Sequence, residues 1–315
     1  MALAGLRVVL VAKFNERYHR TGGAIARALT ELGCEVATCE ERTGSWGRAL
    51  GRTLERRLAG VLARHRPDVV LVFKGATLEP EAIDGLKPAG RARWINWFPD
   101  SPHLLDLSLR IGRAYDVVFA FDSSMVARHR SLGRDARYLA EGCEPSFHRP
   151  LPDPRWPRSA IAFVGSKEPG RAAALETVGD LGVRIWGPDW PAGPLYGDDF
   201  IRAFSNADVA LNVHQFFGEP AARGWYGTGA NRRVFELAAI GTAQLCDAKA
   251  DITRNFTEDR EIVLFRTMAE LHARATHLLE NPAVRADLAT AARRRALAEH
   301  TWRHRLVEML TGSLR

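Results

Sequence analysis

Short runs of consecutive apolar residues alternate along the chain with longer stretches of helical periodicity. In the first half, the apolar runs predict strands at residues 6–12, 34–39, 68–73, 92–98, 116–121 and 136–139. Between them, residues 19–32 and 46–66 place apolar positions at the spacing of amphipathic helices. Strands that are apolar throughout and separated by helices are typical of a parallel sheet covered on both faces.

A cluster of prolines interrupts this alternation near the middle of the chain. Because proline fits neither a helix interior nor a central strand, the cluster predicts a linker over 142–158. The alternation then resumes, with strands predicted at 160–164, 183–186, 208–213, 243–246 and 261–265. Helices are predicted at 170–179, 199–204, 231–240, 267–280, 282–299 and 301–312.

The pattern therefore predicts two α/β domains, 1–150 and 151–300, followed by a last helical segment at 301–315. Asn281 and Pro282 are typical of an N-cap followed by proline in the first helical position. Ligands of parallel sheets bind beyond the carboxyl ends of the strands. If two such domains face each other, the cleft between them is the expected site.

The composition narrows the class of protein further. The 315 residues are 46% hydrophobic and 26% charged, which is typical of a globular protein and excludes collagen-like or disordered chains. No apolar run reaches the roughly 18 residues of a membrane span, and the apolar start reads as a strand rather than a signal peptide. We therefore expect a cytoplasmic protein.

The formal net charge of +7 has two interpretations. It could serve a polyanionic partner such as nucleic acid, anionic lipid or a phosphorylated substrate. However, only five of the 44 basic residues are lysines, and the arginines are spread along the whole chain. This favours an arginine-rich background over a nucleic-acid surface, and we expect no nucleic-acid partner.

The cysteines and familiar motifs exclude several site classes. Cys34 and Cys39 lack the usual zinc spacing and a nearby histidine pair, so the cysteines read as small buried residues of a reducing compartment, with no metal site. No G-x-G-x-x-G, G-x-S-x-G or H-E-x-x-H motif is present, and the glycines at 165 and 170 lack the GK[ST] ending of a P-loop. Asp198 and Asp199 precede a predicted helix, where we interpret them as capping residues.

A turn after the strand at 160–164 carries candidate anion chemistry. Gly165, Ser166 and Lys167 follow the strand, and Arg171 lies near the start of the next helix. Backbone N–H groups at a helix N-terminus, together with two cations, suit a diphosphate. An ordinary strand–helix turn is the alternative.

A second candidate lies at 227–242, where a glycine-containing loop leads into a helix. Glu236 lies among small and apolar residues of that helix, where a carboxylate is costly unless it accepts hydrogen bonds. It could accept two ribose hydroxyl protons. Alternatively it pairs with Arg232 or Arg233, four and three residues earlier.

These segments resemble a known family. The stretch NRRVFELAAIGTAQLCD at 231–247, followed by Asp251, Phe256, EIV at 261–263 and HTW at 300–302, is similar to the C-terminal domain of CgeB-like glycosyltransferases. Upstream, IWGP at 185–188 and LNV at 211–213 fit the same family. In the first half, FKG at 73–75, DSP at 100–102 and YD at 115–116 resemble it too.

The resemblance implies a GT-B fold, in which two Rossmann-like parallel-sheet domains face each other across a cleft. It implies a nucleotide-sugar donor and no cofactor. It does not distinguish UDP, GDP and TDP as the nucleotide of that donor. Glu236 matches the acid that binds the donor ribose in related retaining enzymes, whereas the acid expected eight positions earlier falls on Thr228. The last helix is expected to return to the N-terminal domain.

The same resemblance assigns the remaining donor contacts. Lys167 and Arg171 match the cations that bind the donor diphosphate. Trp186 and Gly187 lie where the protein backbone usually contacts the nucleotide base. Arg232 and Arg233 offer a second contact to the diphosphate. The full set of expected donor-site residues is Gly165, Ser166, Lys167, Arg171, Trp186, Gly187, Asn212, His214, Gly229, Asn231, Arg232, Arg233 and Glu236. For His214, a hydrogen-bonded loop histidine is the alternative.

Glycosyl transfer requires stabilisation of the leaving diphosphate, which cations and helix dipoles supply without metal. A retaining reaction needs no protein base. An inverting one needs a base from the first domain, for which Asp100 and His103 are the candidates, although Asp100 also fits an Asp-capped turn. The acceptor is unidentified, and its expected contacts are Asn15, Glu16, Arg17, His19 and Lys74.

Two other functions remain open. One is a GT-B-fold sugar-nucleotide epimerase, and the other is a non-catalytic module that binds a polyanion or a membrane surface. The helix at 46–66 has Arg48, Arg52 and Arg56 opposite its apolar positions, so it could rest peripherally on anionic lipid. Alternatively, its apolar face packs on the sheet.

Overall fold

Two parallel sheets organise the chain. The computed structural model describes residues 3–14, 20–41, 53–220 and 223–314. The chain divides into a first unit, made of residues 1–140 and 302–315, and a second unit of residues 141–301. The first unit contains a six-stranded sheet and the second a five-stranded sheet.

The first sheet has the strand order β2-β1-β3-β4-β5-β6, and its neighbours pair in parallel. Its strands are β1 (Arg7–Ala12), β2 (Glu35–Glu40), β3 (Val69–Phe73), β4 (Arg93–Phe98), β5 (Val117–Ala120) and β6 (Ala136–Tyr138). Its helices are α1 (Arg20–Glu31), α2 (Leu54–His65), α3 (Pro80–Leu86), α4 (Leu105–Gly112) and α5 (Ser123–Arg130). The central strands are apolar throughout because helices cover both faces of the sheet.

The last helix of the chain, α11 (Trp302–Ser313), belongs to this first unit. It packs beside α1, and Leu306, Met309 and Leu310 are buried in the same core as β1 and β3. The Trp302 ring meets Phe73 and Trp97 edge to face, with centroids 6.4 Å and 5.4 Å away. The final helix therefore supplies core side chains to the first unit.

The second sheet has the order β11-β10-β9-β7-β8 and is also parallel. Its strands are β7 (Ser159–Val164), β8 (Val183–Trp186), β9 (Ala207–Asn212), β10 (Gln244–Asp247) and β11 (Val263–Phe265). Its helices are α6 (Pro169–Thr177), α7 (Gly197–Ser205), α8 (Arg232–Ile240), α9 (Met268–Glu280) and α10 (Pro282–Glu299). Since the strands are parallel, the carboxyl ends of β7, β9 and β10 lie at the same edge of the sheet.

Several local details differ from the sequence-based expectations. Helix α7 begins at Gly197, so Asp198 and Asp199 lie in its first turn and pair with Arg202, whereas the N-cap is Tyr196. The Asn281 side chain makes no capping bond at the start of α10 and donates instead to the carbonyl of His277. The expectation that Asp198 and Asp199 cap their helix was wrong, whereas Asn281 is the N-cap of α10 and Pro282 its first residue, as expected.

The proline-rich segment 142–158 is part of the second unit rather than a free tether. Phe147, Leu151 and Trp156 pack on a core that includes Phe200 and Phe204 of α7.

The described part of the chain also bears on the helix expected at 46–66, on membrane spans and on the cysteines. In α2, Leu54 and Leu58 are buried in a core of the first unit that also contains Val9 and Val11 of β1, so the apolar face of α2 packs inside the protein. No described helix is both long enough and apolar enough to cross a membrane. All four cysteines lie in described residues, are buried and form no disulfide.

Candidate functional site

Polar and charged side chains gather at the edge of the second sheet where β7, β9 and β10 end. The described loop residues that follow these strands are 165–168, 213–220, 223–231 and 248–251. This is the edge at which open parallel sheets bind ligands. The helices α6 and α8 both begin there.

The turn after β7 is built around close backbone contacts. The Gly165 N–H donates to the Trp186 carbonyl at 2.9 Å, and the Gly165 carbonyl accepts from Trp190 Nε1 at 3.0 Å. A Cβ at Gly187 would lie 1.8 Å from the Gly165 carbonyl oxygen, and its φ of 145° also requires glycine. Trp186 and Gly187 therefore lie directly beside the turn.

Arg171, in the first turn of α6, fixes the turn from the helix side. Its Nε donates to the Val213 carbonyl at 2.9 Å, and its Nη1 donates to Ser166 Oγ at 2.7 Å. These acceptors are neutral, and no carboxylate in the described ranges lies within ion-pair distance of Arg171. Burial, together with the like charge of Arg233, lowers the pKa of Arg171 to about 10, so it remains a cation at neutral pH.

Two further contacts shape this part of the edge. The Lys167 ammonium lies 5.1 Å from the centre of the Trp190 ring, which is a cation–π distance. A Cβ at Gly170 would lie 1.6 Å from the Phe217 carbonyl oxygen, so only glycine lets α6 begin this close to the loop after β9.

The start of α8 is held by its N-cap, Asn231. The Asn231 Oδ1 accepts from the Val234 N–H, and the amide groups of Asn231 and Asn212 exchange two hydrogen bonds of 3.1 Å. Gly229 is buried in the loop that leads to this cap. The paired amides join the end of β9 to the first turn of α8.

Glu236 is a buried carboxylate that both neighbouring arginines engage. Arg232 Nε donates to Oε1 and Arg233 Nη1 donates to Oε2, each at 2.9 Å. His148 Nε2 lies 3.5 Å from Oε1, and Arg232 also reaches Glu141. Burial alone would raise the pKa of Glu236, but the charges of Arg233 and Arg232 outweigh it and lower the pKa to about 2.

His214 follows β9 and has both ring nitrogens engaged. Nδ1 lies 2.8 Å from Asp247 Oδ1, which also accepts the His214 backbone N–H at 2.8 Å, and Nε2 accepts the Asn231 N–H at 3.0 Å. The other oxygen of Asp247 accepts from the Tyr226 hydroxyl. Of the two interpretations of His214, the structure shows the hydrogen-bonded loop histidine.

Thr228 stands where the resemblance placed the missing acid. Its hydroxyl donates to Asp251 Oδ2 at 2.9 Å, and its carbonyl accepts the Asp251 N–H at 3.0 Å. Asp251 also pairs with Arg254 at 3.2 Å. The Thr228 position thus reaches a buried carboxylate through its hydroxyl.

One group of side chains has metal-ligand chemistry. His214, Cys246 and Asp247 each place one ligand atom within 4.8 Å of the others. A metal there would have to displace the proton between His214 Nδ1 and Asp247 and to ionise the Cys246 thiol, whose pKa burial raises well above its usual range. The group fits hydrogen bonding better than metal binding.

The expected first-domain residues lie in the first unit. Lys74 Nζ pairs with Asp100 Oδ2 at 2.9 Å, and both side chains are about one quarter exposed, with 27% and 25% of their surface accessible. His103 lies one turn beyond Asp100, in a short 3₁₀ helix (Pro102–Leu104). Asn15, Glu16, Arg17 and His19 fall outside the described residues.

The structure therefore brings the expected donor residues together as two neighbouring groups in the second unit. The group around the turn after β7 is hydrogen-bonded to the end of β9 by Arg171, which donates to Val213. The group around α8 is hydrogen-bonded to the same strand end by the amides of Asn212 and Asn231. Sequence reasoning missed the carboxylates and partners that support them, namely Glu141, His148, Tyr226, Asp247, Lys249 and Asp251. Asp247 carried a usable signal, since an acid that ends a buried strand marks this edge.

Comparisons with known proteins agree with this architecture. Residues 171–311 match the family model described as glycosyl transferase-like. No curated protein matches the chain. Three similar solved structures are sucrose-phosphate synthase from Thermosynechococcus elongatus, a glycosyltransferase from Rickettsia africae, and Anabaena HepE in complex with UDP-glucose.

These structures are distant in sequence but similar over their length. Identities are 12%, 11% and 10%, and TM-scores are 0.69, 0.63 and 0.66. This chain is covered to 97%, 98% and 98%, and the other chains to 98%, 98% and 100%. The expected GT-B fold is confirmed, and residues 171–311, which lie largely in the second unit, are similar to the glycosyl transferase-like family. The narrower CgeB-like resemblance stays a prediction.

Proposed function

We propose that this GT-B-fold protein is a glycosyltransferase that takes its sugar from a nucleoside diphosphate donor bound at the carboxyl edge of the second sheet. The observation that carries the proposal is Arg171. It is a partly buried guanidinium whose described hydrogen bonds all go to neutral oxygens, and it lies near a second cation, Arg233. A buried charge without a countercharge is costly, so an anion bound here would lower the free energy of the site.

The diphosphate is the natural anion for this position. The N-terminus of α6, a helix of nine residues, directs its first N–H groups toward the turn that contains Lys167. Arg171 adds a planar guanidinium that suits phosphate oxygens, and Lys167 adds a mobile ammonium. During transfer these groups would stabilise the charge that develops on the leaving diphosphate.

Glu236 is proposed to accept the ribose hydroxyls. Its low pKa keeps the carboxylate ionised, and each oxygen retains acceptor capacity beyond the one described arginine bond. Arg232 and Arg233 would then orient the carboxylate rather than compete with the donor. The HepE structures contain UDP, UDP with glucose, and UDP-glucose, so uridine diphosphate is the first ligand to test.

The transfer is proposed to proceed without metal and with retention. The cations at the diphosphate would supply the charge stabilisation that a metal gives in other enzymes, and the leaving phosphate oxygen would take the acceptor proton. The donor C1–oxygen bond breaks, and C1 forms its new bond to the acceptor oxygen. Activity that persists in a chelator and a product with the donor's anomeric configuration would support both points.

Binding of diphosphates to an Arg171 variant tests the proposal. Calorimetry should show that at least one of UDP, GDP and TDP binds the native chain, and that Arg171→Met weakens it by about 10- to 100-fold, the loss of a charged hydrogen bond. Arg285→Met is the control, since Arg285 is a partly buried arginine of the same unit that pairs with Asp208 and donates to the Leu278 carbonyl. Equal affinity of all three chains would overturn the proposed site.

A further inference from the structure

His214 lies at the centre of a buried hydrogen-bond network that joins two strands to the loop before α8. Its side chain is 5% exposed, and that of Asp247 is fully buried. The network contains the end of β9 through His214, the end of β10 through Asp247, and the α8 cap through the Asn231 N–H. A single imidazole therefore connects three separate parts of the donor-site edge.

The partners of the ring determine where its proton lies. The Asn231 backbone N–H can only donate, so His214 Nε2 must be an unprotonated acceptor. Nδ1 then carries the proton and donates it to Asp247. His214 is thus neutral, with the Nδ1–H tautomer set by its neighbours.

The charged groups around the ring are consistent with this state. Asp247 favours a protonated ring, whereas Lys249 and Arg171 oppose it, and burial lowers the pKa of His214. Two uncharged titratable groups also face the network, the Tyr226 hydroxyl and the Cys246 thiol. A second proton on Nε2 would require the loss of the Asn231 hydrogen bond.

The same network holds the loop that precedes Asn231. Tyr226 donates to Asp247 and lies against Phe217, with ring centroids 6.2 Å apart. Lys249 lies 3.6 Å from the Tyr226 ring centre and donates to the Tyr226 carbonyl. Thr228 is tied to Asp251. The loop is fixed at Tyr226, Thr228 and Asn231, so the imidazole acts at its last attachment, immediately before the arginines of α8.

We propose that His214 is a positioning residue of the donor site: its Nε2 holds the Asn231 N–H and thereby fixes the start of α8, the helix that carries Arg232, Arg233 and Glu236. This inference rests on the proposed function, since the ligand it serves is the nucleoside diphosphate. His214 itself acts through Asn231, not on the donor. The essential contact is therefore Nε2 to the Asn231 N–H, and the contact of Nδ1 with Asp247 serves to orient the ring.

Two substitutions separate the two ring contacts. Glutamine places an amide oxygen near the Nε2 position, so His214→Gln can still accept the Asn231 N–H. Asparagine places its amide near the Nδ1 position, so His214→Asn can donate to Asp247 but leaves that N–H without an acceptor. We expect His214→Asn to weaken UDP, GDP or TDP binding about tenfold, and His214→Gln to keep affinity within about threefold of the native chain.

His129 of the first unit provides a matched control. It is also a fully buried histidine with both ring nitrogens engaged, by Ser108 at 2.9 Å and by Arg134 at 3.3 Å. His129→Asn should lower the melting temperature without changing diphosphate affinity. Comparison with His214→Asn distinguishes a positioning role from general loss of stability.

The outcomes are separable. If the native chain binds a diphosphate and both His214 variants bind it equally well, or the asparagine variant binds it better than the glutamine variant, the inference is wrong while the proposed function stands. If the native chain binds none of the three diphosphates, the proposed function fails and this inference with it.

A spectroscopic measurement keeps the inference falsifiable even if the variants do not fold. Long-range ¹H–¹⁵N correlation spectra of the native chain should show a neutral His214 ring that is protonated at Nδ1. Slow exchange of the Asn231 amide hydrogen, slowed further by a bound diphosphate, is the second expected signature. A ring protonated at Nε2 would overturn the assignment.

Discussion

Glu236 shows how one carboxylate can be structural and available to a ligand at once. It is 7% exposed and bonded by two arginines, yet each of its oxygens can accept a further hydrogen bond. The arginine pair and a ribose are therefore not exclusive alternatives. The pair keeps the carboxylate ionised, and the proposed ribose contact would use the remaining acceptor capacity of its oxygens.

A Glu236→Gln substitution should reduce the ability of the site to recognise the ribose 2′-hydroxyl. The amide keeps the size of the side chain but turns one acceptor into a donor, so one hydroxyl bond is lost. We expect the native chain to bind UDP more tightly than 2′-deoxy-UDP, and the ratio of the two affinities to fall by about tenfold in the variant.

Calorimetry with both nucleotides measures this ratio, and the comparison within one variant removes any general effect on folding. Arg285→Met, which lies at a different contact in the same unit, should keep the native ratio. A Glu236→Gln protein that discriminates between the two nucleotides as well as the native chain would show that Glu236 does not touch the ribose.

At the scale of elements, the strands were more predictable than the helix starts. Buried parallel strands are continuous apolar runs, so β8 was predicted without error and most others within two residues. Helix starts depend on which side chain caps them. Asp198 resembled a cap, but α7 begins one residue earlier, at Gly197, and uses that aspartate in an ion pair.

The residues of the candidate site also differ in how well the sequence predicted them. Gly165, Arg171 and Glu236 could be proposed from sequence because each has a local signal, a strand end, a helix start or an acid in an apolar turn. Glu141 and His148 could not, because they come from the proline-rich segment and approach α8 only through tertiary structure. Long-range partners of this kind leave no periodic signal along the chain.

The contact between α4 and α5 contains a buried histidine, so we expect the stability of the protein to depend on pH. His129 of α5 is buried against Ser108 of α4, and burial together with Arg134 lowers the pKa of His129 to about 4, below its usual 6.5. The unfolded chain therefore binds a proton there that the folded chain excludes. This contribution to stability is complete above pH 6.5 and is lost as the pH falls toward 4.

We expect the free energy of unfolding to fall by roughly 2 kcal/mol across this interval because of His129. Chemical denaturation at several pH values measures the slope, and a His129→Asn variant should have a shallower one. His214 titrates in the same direction, so the difference between native chain and variant, rather than the total slope, reports His129. Parallel slopes would contradict the assignment.

At the scale of the whole molecule, the charge of the protein is distributed rather than concentrated. Many arginines form surface ion pairs with nearby acids, such as Arg113 with Glu81 and Arg266 with Glu258. Such exposed pairs contribute little stability, a median of about 0–1 kcal/mol each. Arg171 differs from these paired arginines because its described bonds go to neutral oxygens, as do those of Arg130 and Arg293. It differs from Arg130 and Arg293 in its place, since it is partly buried at the carboxyl edge of the second sheet near Arg233.

The stability of the first unit depends on the last helix of the chain, α11, which returns to that unit after the second. Helix α11 contributes buried Trp302, Leu306, Met309 and Leu310 to that core, and Arg137 donates to the Gly312 carbonyl at 2.7 Å. We therefore expect Trp302→Ala to destabilise the first unit by about 3–5 kcal/mol, the usual effect of removing a buried aromatic side chain. The proposed diphosphate site lies in the second unit, so diphosphate affinity should stay at its native value where the variant remains folded.

Denaturation followed by fluorescence, with calorimetry at a temperature below the transition, tests both parts of this prediction. Val284→Ala is the control, because Val284 is 38% exposed on α10 and its truncation should leave stability almost unchanged. The large effect is expected because the buried Trp302 ring packs edge to face on Phe73 and Trp97, and its truncation leaves a cavity beside both rings. A Trp302→Ala chain as stable as the native one would show that the first unit folds without α11.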